Sequence, residues 1–276
     1  MRVLVSGAGG QLGQSLQKEL PMHELVPLVH ERLDITDLQA VREAIGAFHP
    51  DVVVNASAYN NVDGAESDPS SAYHLNAVGP RNLAVAAAER GIAVVHVSTD
   101  YVFDGTASEP YHEYHETAPL SVYGKSKLAG ETAVIAVNEH HYVVRTALLY
   151  HEAGMNFPVR MLEQRDKPSV RVVSDQFGSP TYARHLARAI GDLIETGAYG
   201  TYHFAGRGGT SMLDWTRALY RLCGISTEIV PVSMADFPRP ARRPRYSVLT
   251  TLQSPQILLP EWEEGLAEFA RAIGHV

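Results

Sequence analysis

The sequence predicts an α/β fold, a doubly wound parallel sheet with a smaller C-terminal lobe. Short runs of apolar, β-branched residues alternate with segments whose apolar residues recur every three or four positions. This β-α-β-α alternation is typical of a parallel sheet covered by helices on both faces. A glycine-rich turn also joins the first apolar run to the first helical segment, and this connection is typical of sheets that bind a dinucleotide.

Five strands are predicted at residues 2–6, 25–29, 52–54, 92–97 and 142–146, with helices at 11–20, 38–48, 70–90 and 122–137. After Tyr150 the pattern loosens, and one further helix is expected near 182–195. We therefore expect residues 1–150 to form the sheet domain, with 172–200 returning to it. Residues 151–171 and 201–276 are expected to form the lobe.

Composition excludes several classes of protein. Of 276 residues, 45% are hydrophobic and 20% are charged, which is the composition of a globular protein rather than a disordered one. The net charge of −8 disfavours binding to nucleic acid or to an anionic membrane. Cys223 is the single cysteine, so it cannot form an internal disulfide. The first apolar run is too short for a signal peptide or a membrane span, and a cytoplasmic protein is expected.

The glycine-rich turn has the spacing G-x-x-G-x-x-G at Gly7, Gly10 and Gly13. Glycine permits a tight turn, and it lets backbone N–H groups at a helix N-terminus approach a pyrophosphate. The turn follows a predicted strand and precedes a predicted helix, as a Rossmann-type site requires. The sequence therefore predicts a dinucleotide cofactor at this turn.

The second strand offers two further signals. Asp34 either accepts a hydrogen bond from an adenine amino group or caps the helix that starts near Asp37. The strand end carries His30, Glu31 and Arg32, so a carboxylate suited to a ribose hydroxyl and a guanidinium suited to a 2′-phosphate are adjacent. The cofactor is NADPH or NADH, with NADPH slightly favoured.

A possible catalytic set comes from two segments. Thr99 ends a predicted strand, and Tyr123 and Lys127 stand four residues apart on one face of a predicted helix. A nearby ammonium and an oxidised nicotinamide both favour the phenolate, so we expect the pKa of Tyr123 to fall toward neutrality. Thr99 would then hydrogen-bond the substrate oxygen that Tyr123 protonates.

With these residues in place, the chain resembles the extended short-chain dehydrogenases/reductases along nearly its whole length. The resemblance includes NASAYNNVDGAE at 55–66, HVSTDYVFDG at 96–105, PLSVYGKSKLAGE at 119–131 and DQFGSPT at 175–181. It implies Thr99, Tyr123 and Lys127 as the catalytic set, with Asn76 supporting a water-linked proton path. Around the cofactor it implies Gly7, Gly10, Gln11, Leu12, Gly13, Asp34, Ile35, Ala58, Tyr59, Asn60, Val97, Tyr123 and Lys127. On the substrate side it implies Thr99, Asp100, Tyr101, Leu148 and Arg243, the last for a diphosphate.

The chain departs from the family pattern at four positions. Leu148 stands where these proteins usually carry a Trp that packs on the sugar, and Gly64 and Asn60 replace a Lys and a Thr. Ser15 stands where some members have an acidic ligand for Mg²⁺, so no metal site is predicted.

The resemblance implies NAD(P)H-dependent reduction of the C4 ketone of a dTDP-linked 4-keto-6-deoxyhexose, dTDP-4-dehydro-L-rhamnose, to dTDP-L-rhamnose. Two alternatives stay open. One is reduction of a different dTDP-4-keto-6-deoxysugar, which Leu148 suggests. The other is a non-catalytic, NADP-binding regulatory subunit of S-adenosylmethionine synthetase, against which the intact Thr99, Tyr123 and Lys127 argue. A homodimer is compatible with either.

Overall fold

The computed structural model describes residues 1–275. Its strands are β1 (Arg2–Ser6), β2 (Glu24–Leu28), β3 (Val52–Asn55), β4 (Ala93–Thr99), β5 (His141–Thr146), β6 (Leu149–Tyr150), β7 (Ser169–Val173), β8 (Phe177–Gly178), β9 (Thr181–Tyr182), β10 (Gly200–His203), β11 (Thr210–Ser211) and β12 (Glu228–Val232). Its α-helices are α1 (Gln11–Glu19), α2 (Leu38–Phe48), α3 (Val62–Ser67), α4 (Pro69–Tyr73), α5 (Gly79–Ala88), α6 (Val122–Val137), α7 (Phe157–Leu162), α8 (Ala183–Ile194), α9 (Met212–Leu222) and α10 (Trp262–Ala272).

Six of these strands form a parallel sheet in the order β10-β5-β4-β3-β1-β2. The chain moves outward from β1 to β2 and then crosses back to β3, so the strand order reverses between β1 and β3. In open α/β sheets a ligand crevice lies beyond the carboxyl ends of the strands at such a reversal. Ser6 and Asn55 face each other there, and Thr99 and Thr146 end the next pair of strands at the same edge.

Alternation along the strands explains why helices cover both faces. Val3 and Val5 of β1 pack with the apolar residues of α1 and α8, including Leu16 and Ile190. Leu4, between them in the sequence, packs on the opposite face with α2 and α5. A strand buried on both sides reads as a continuous apolar run, which is why the sequence predicts this sheet.

A second core lies in the lobe, where β7 pairs with β12 and packs against α9. It is rich in aromatic side chains, and the rings of Tyr150 and Trp215 meet edge to face with centroids 5.3 Å apart. The division of the chain differs from the expected one at two places. Strand β10 belongs to the central sheet although residues 201 onward are expected in the lobe, and the end of β7 lies in the lobe although 172 onward is expected in the sheet domain.

The predicted helix at 70–90 is interrupted in the structure. Between α4 and α5 the chain forms a π-helical turn at His74–Val78. The side chain of Asn76 in this turn accepts a hydrogen bond from the Tyr59 N–H at 2.8 Å and donates to the Ser126 hydroxyl at 3.0 Å. A spacing of three and four residues does not reveal one wider turn, because the apolar face continues across it. No helix in residues 1–275 has the length and apolar character needed to span a membrane.

Candidate active site

A cavity of about 520 Å³ lies beyond the carboxyl ends of β1, β3, β4 and β5. Most of the predicted site residues line it. These are Gly10, Gln11, Leu12, Ala58, Asn60, Val97, Thr99, Asp100, Tyr101, Tyr123, Lys127 and Leu148. Gly7, Gly13, Asp34, Ile35, Tyr59 and Arg243 do not line it.

The glycine turn forms one wall of the cavity. Gly7 has φ +71°, a backbone conformation that glycine adopts without strain, and a Cβ there would lie 2.7 Å from the backbone nitrogen of Ser57. A Cβ on Gly13 would lie 2.3 Å from the Gly7 carbonyl oxygen. Gly7 and Gly13 therefore let strand, turn and helix approach one another, while Gly9 and Gly10 face the cavity.

The first turn of α1 suits a pyrophosphate. Gly10 is the N-cap residue, and no side chain accepts a hydrogen bond from the first turn. The N–H groups of this turn, beside Gln11 and Leu12 on the cavity wall, are available to an anion, and the helix dipole favours negative charge there. The residues present thus fit the diphosphate of a nicotinamide dinucleotide.

A loop after β6 closes this end of the cavity. Ala153 and Gly154 line it, the Gln11 amide donates to the Met155 carbonyl at 3.4 Å, and the Asn156 amide donates to the Gln11 side-chain oxygen at 3.4 Å. These cavity residues were not predicted from the sequence. The only signal was the turn-forming Gly/Asn/Pro composition of residues 154–158, which does not reveal a contact across more than 140 residues.

Asp34 lies outside the cavity, and it does not cap α2. Its carboxylate accepts from the N–H and hydroxyl groups of Thr36 at 2.9 and 2.7 Å. Asp37 caps the helix instead, accepting from the N–H groups of Gln39 and Ala40. The capping alternative for Asp34 is therefore wrong, because a shorter-range turn already occupies its carboxylate. Ile35 is buried against Gly79, where it packs in the core.

The helix α6 places Tyr123 and Lys127 toward the strand ends. Ser121 caps it by accepting from the Gly124 N–H at 3.2 Å. A Cβ on Gly124 would lie 2.2 Å from the Tyr101 carbonyl oxygen, so glycine is needed where the first turn of α6 crosses the segment after β4. The rings of Tyr123 and Tyr101 consequently meet edge to face with centroids 5.7 Å apart.

Burial shifts the pKa values of Tyr123 and Lys127 at this wall of the cavity. Burial raises the pKa of Tyr123 above its ordinary value, which the nearby hydroxyl of Thr99 opposes. Burial lowers the pKa of Lys127 to about 8, and its ammonium donates to the Val97 carbonyl at 2.7 Å. Desolvation of the phenolate outweighs the Thr99 hydrogen bond, and the charge of Asp100 adds to the upward shift. The expected fall in the pKa of Tyr123 beside an oxidised nicotinamide stays a prediction. A neutral phenol is the form that donates a proton.

Thr99, Asp100 and Ser247 form a buried chain of hydrogen bonds beside these residues. The Thr99 hydroxyl accepts from the Tyr101 N–H at 3.1 Å and donates to Asp100 Oδ1 at 3.0 Å. Ser247, from the C-terminal part of the chain, donates to Asp100 Oδ2 at 2.5 Å. Burial raises the pKa of Asp100 to about 6, although both hydroxyl hydrogen bonds oppose the shift.

Leu148 lines the cavity with an uncommon backbone conformation, φ +45°. Its carbonyl accepts from the Thr181 N–H at 3.3 Å. A Cβ on Gly178 would lie 2.8 Å from Leu148 Cδ1, so the side chain is held closely against β8. Positive φ in a branched residue costs free energy and often occurs at functional sites.

Arg243 lies away from the cavity wall, in contrast to the substrate contact expected for it. Its guanidinium donates two hydrogen bonds to the Asp63 carboxylate, both 3.1 Å. Burial would raise the pKa of Asp63, but the hydrogen bonds from Arg243 and from the Ala241 N–H lower it. The pair links α3 to the segment before Ser247. Asp63 and Arg243 are 180 residues apart in the sequence, so their contact could not be predicted from sequence spacing.

A buried ion pair supports the strand ends from below. Glu131 accepts from Arg145 Nε and Nη2 at 3.0 and 2.7 Å, and from the Ser98 hydroxyl at 2.5 Å. The Glu131 and Arg145 side chains are only 2% and 8% exposed. Glu131 ends a quoted motif and Arg145 lies in the predicted strand at 142–146, but no signal in the sequence paired them. Among residues 1–275, no group of three or more His, Cys, Asp or Glu side chains is arranged to hold a metal ion.

Comparison with known proteins gives a consistent result. The RmlD substrate binding domain family matches residues 1–274. The chain is 44% identical over 262 residues to a dTDP-4-dehydrorhamnose reductase from Mycobacterium tuberculosis, covering 91% of this chain and 86% of that protein. It is 36% identical over 273 residues to the Bacillus subtilis spore coat polysaccharide biosynthesis protein SpsK, covering 97% and 96%.

Solved structures agree with these relatives. A dTDP-4-dehydrorhamnose reductase from Clostridium acetobutylicum superposes with a TM-score of 0.96 at 42% identity, covering 99% of both chains. A reductase of the same name from Bacillus anthracis, in complex with NADP, superposes with a TM-score of 0.96 at 38% identity, covering 98% of this chain and 99% of that one. Sequence and fold therefore agree from one end of the described chain to the other, and the protein belongs to the RmlD substrate binding domain family.

Proposed function

We propose that this protein is an NADPH-dependent oxidoreductase that reduces the C4 ketone of dTDP-4-dehydro-L-rhamnose to dTDP-L-rhamnose. The observation that carries the proposal is the placement of Thr99, Tyr123 and Lys127 on one cavity with the glycine turn. The names of the relatives support the reaction, and the NADP complex of a 38% identical reductase supports the cofactor. The partner is a dTDP-linked 4-keto-6-deoxyhexose.

The glycine turn and the first turn of α1 bind the cofactor diphosphate, and Lys127 donates to the nicotinamide ribose. When bound, the reduced nicotinamide supplies the hydride. Tyr123 supplies the proton to the ketone oxygen, and Thr99 hydrogen-bonds the same oxygen. Ala58, Asn60 and Val97, on the cavity wall at the ends of β3 and β4, would contact the cofactor when it is bound.

The electrostatics suit reduction. The pKa of Tyr123 is raised by burial, so the phenol carries its proton until charge develops on the ketone oxygen. The ammonium of Lys127 then stabilises the phenolate that is left. Because burial lowers the pKa of Lys127 to about 8, this ammonium can also lose a proton near neutral pH and thereby restore Tyr123.

A different dTDP-4-keto-6-deoxysugar is the second candidate substrate, and Leu148 favours it. Its side chain faces the cavity without the flat ring that would stack on a pyranose. The expectations of a homodimer, of a cytoplasmic location and of a boundary of the sheet domain near residue 150 stay predictions.

The test is a coupled reaction with purified protein. A dehydratase and an epimerase supply dTDP-4-dehydro-L-rhamnose, NADPH oxidation is followed by absorbance, and the sugar product is identified by NMR. Tyr123→Phe is the matched control, because only one hydroxyl is lost. We expect it to reduce kcat by ~10²- to 10⁴-fold with nearly unchanged cofactor affinity. Activity within tenfold of wild type would remove Tyr123 from the mechanism, and absence of dTDP-L-rhamnose would refute the substrate.

A further inference from the structure

We propose that Asp100 is a positioning residue that decides whether the hydroxyl proton of Thr99 is directed to Asp100 or is free for the ketone oxygen. The neutral form of Asp100 is the one competent for ketone reduction. The inference rests on the proposed function. It concerns a carboxyl group that the mechanism above does not use, although Asp100 lies on the cavity wall and is 2% exposed.

The Thr99 hydroxyl has a limited capacity for hydrogen bonds. A hydroxyl has one proton and two acceptor sites. The Tyr101 N–H occupies one acceptor site at 3.1 Å, and the hydroxyl proton is directed to Asp100 Oδ1 at 3.0 Å. Only one acceptor site is left. A ketone oxygen also only accepts, so Thr99 in this arrangement has nothing to offer it.

Protonation of Asp100 reverses this arrangement. A neutral carboxyl group can donate its own proton to Thr99, filling the second acceptor site there. The Thr99 proton is then free for the ketone oxygen. The other carboxyl oxygen continues to accept from Ser247 at 2.5 Å, so the exchange needs no change of partners. No bond to carbon forms or breaks in this step, and Asp100 keeps its proton throughout.

The surroundings of Asp100 shift its protonation equilibrium toward the neutral form. Burial raises the pKa of Asp100 to about 6, and among residues 1–275 no basic side chain forms an ion pair with it. The titratable groups that face it are Tyr101, which follows it in the chain, and Tyr123 of α6. Both phenols are neutral near pH 7. The cations beside Tyr101 are Arg243 and Arg239, which lower its pKa, and Arg243 is paired with Asp63.

The experiment is the pH dependence of kcat at saturating NADPH and nucleotide sugar. Above the pKa of Asp100, wild-type kcat should fall about tenfold per pH unit, because only the neutral fraction reacts. Asp100→Asn should abolish this fall, since the amide donates to Thr99 at every pH while its oxygen accepts from Ser247. At pH 8 its kcat should exceed that of wild type by at least tenfold.

Two further variants separate positioning from structure. Ser247→Ala removes a hydrogen bond that lowers the pKa of Asp100, so the fall in kcat should move to higher pH. Asp104→Asn is the matched control, because Asp104 bonds Thr106 and Tyr111 outside the cavity. Its profile should follow that of wild type.

Loss of activity in Asp100→Asn at every pH, or a profile that falls as in wild type, would overturn the proposal. Failure of the proposed function is distinguishable, since wild type itself would then not turn over. In that case infrared spectroscopy decides the protonation of Asp100. A protonated-carboxyl band that persists to pH 6 and disappears in Asp100→Asn supports the neutral form, and absence of that band from wild type overturns it.

Discussion

Breaking the buried ion pair beneath the site should strongly destabilise the protein. In Glu131→Gln the amide keeps one oxygen for Arg145 but turns an NH₂ group toward donors that previously met a carboxylate. One of the two contacts to Arg145, at 3.0 Å from Nε or at 2.7 Å from Nη2, is lost, and Arg145 is 8% exposed. Removing one partner of a buried pair typically costs about 3–5 kcal/mol, because the other charge is left uncompensated. The total stability of a domain is only about 5–15 kcal/mol.

Among residues 1–275, Arg145 forms an ion pair with no carboxylate other than Glu131. Its other neighbours are His203 Nε2, 3.4 Å from Nη1, and the ring of Phe103, 5.3 Å from the guanidinium carbon. Burial lowers the pKa of His203 to about 4, so the imidazole is neutral and cannot repel or balance the charge at neutral pH. The double variant Glu131→Met with Arg145→Met should therefore be more stable than Glu131→Gln alone.

Urea unfolding at 25 °C, followed by circular dichroism, measures the effect. Glu89→Gln is the control, because Glu89 forms a comparable two-pronged pair with Arg42 on the surface, where water screens the charges. If Glu131→Gln shifts the midpoint no further than Glu89→Gln does, the pair at Arg145 does not carry the stability assigned to it here.

Two other substitutions test the site. Lys127→Ala should lower kcat by at least 10²-fold and weaken NADPH binding, because the ammonium contacts both Tyr123 and the ribose in the proposed mechanism. Fluorescence titration measures the affinity for NADPH. An unchanged Kd would remove the ribose contact from the mechanism. Leu148→Trp should keep or improve kcat/KM for dTDP-4-dehydro-L-rhamnose by up to about fivefold, since a stacked ring is worth roughly 1 kcal/mol. A large loss, together with faster wild-type turnover of another 4-ketosugar, would change the substrate but not the reaction.

Local sequence patterns were sufficient for most of the sheet domain. The helices at 38–48 and 122–137 have the predicted bounds, and the predicted strand at 2–6 is β1. These elements were predictable because apolar periodicity and caps act within a few residues. The π-helical turn at His74–Val78 was missed, since it is stabilised by the contacts of Asn76 with Tyr59 and Ser126, which lie 17 and 50 residues away.

The cavity residues also divide into those that local sequence predicted and those whose position depends on distant contacts. Thr99 was predicted to lie there because it ends a strand and parallel strands end at one edge, and Lys127 was predicted to lie beside it from one face of a helix. Arg243 was assigned from the family resemblance and from the suitability of a guanidinium for a diphosphate, and in the structure its guanidinium is paired with Asp63. Whether a guanidinium is free for a ligand depends on which carboxylate the fold brings beside it.

The sequence by itself determined the fold class, the glycine turn at Gly7 to Gly13, and the presence of Tyr123 and Lys127 on one helical face, because each depends on neighbours within one or two turns of chain. Only the tertiary structure decided the protonation of these groups. Burial raises the pKa of Tyr123 and lowers that of Lys127. Ser247 reaches Asp100 across 147 residues. Desolvation and long-range hydrogen bonds depend on which atoms surround a group in three dimensions, and that information is not local to any motif.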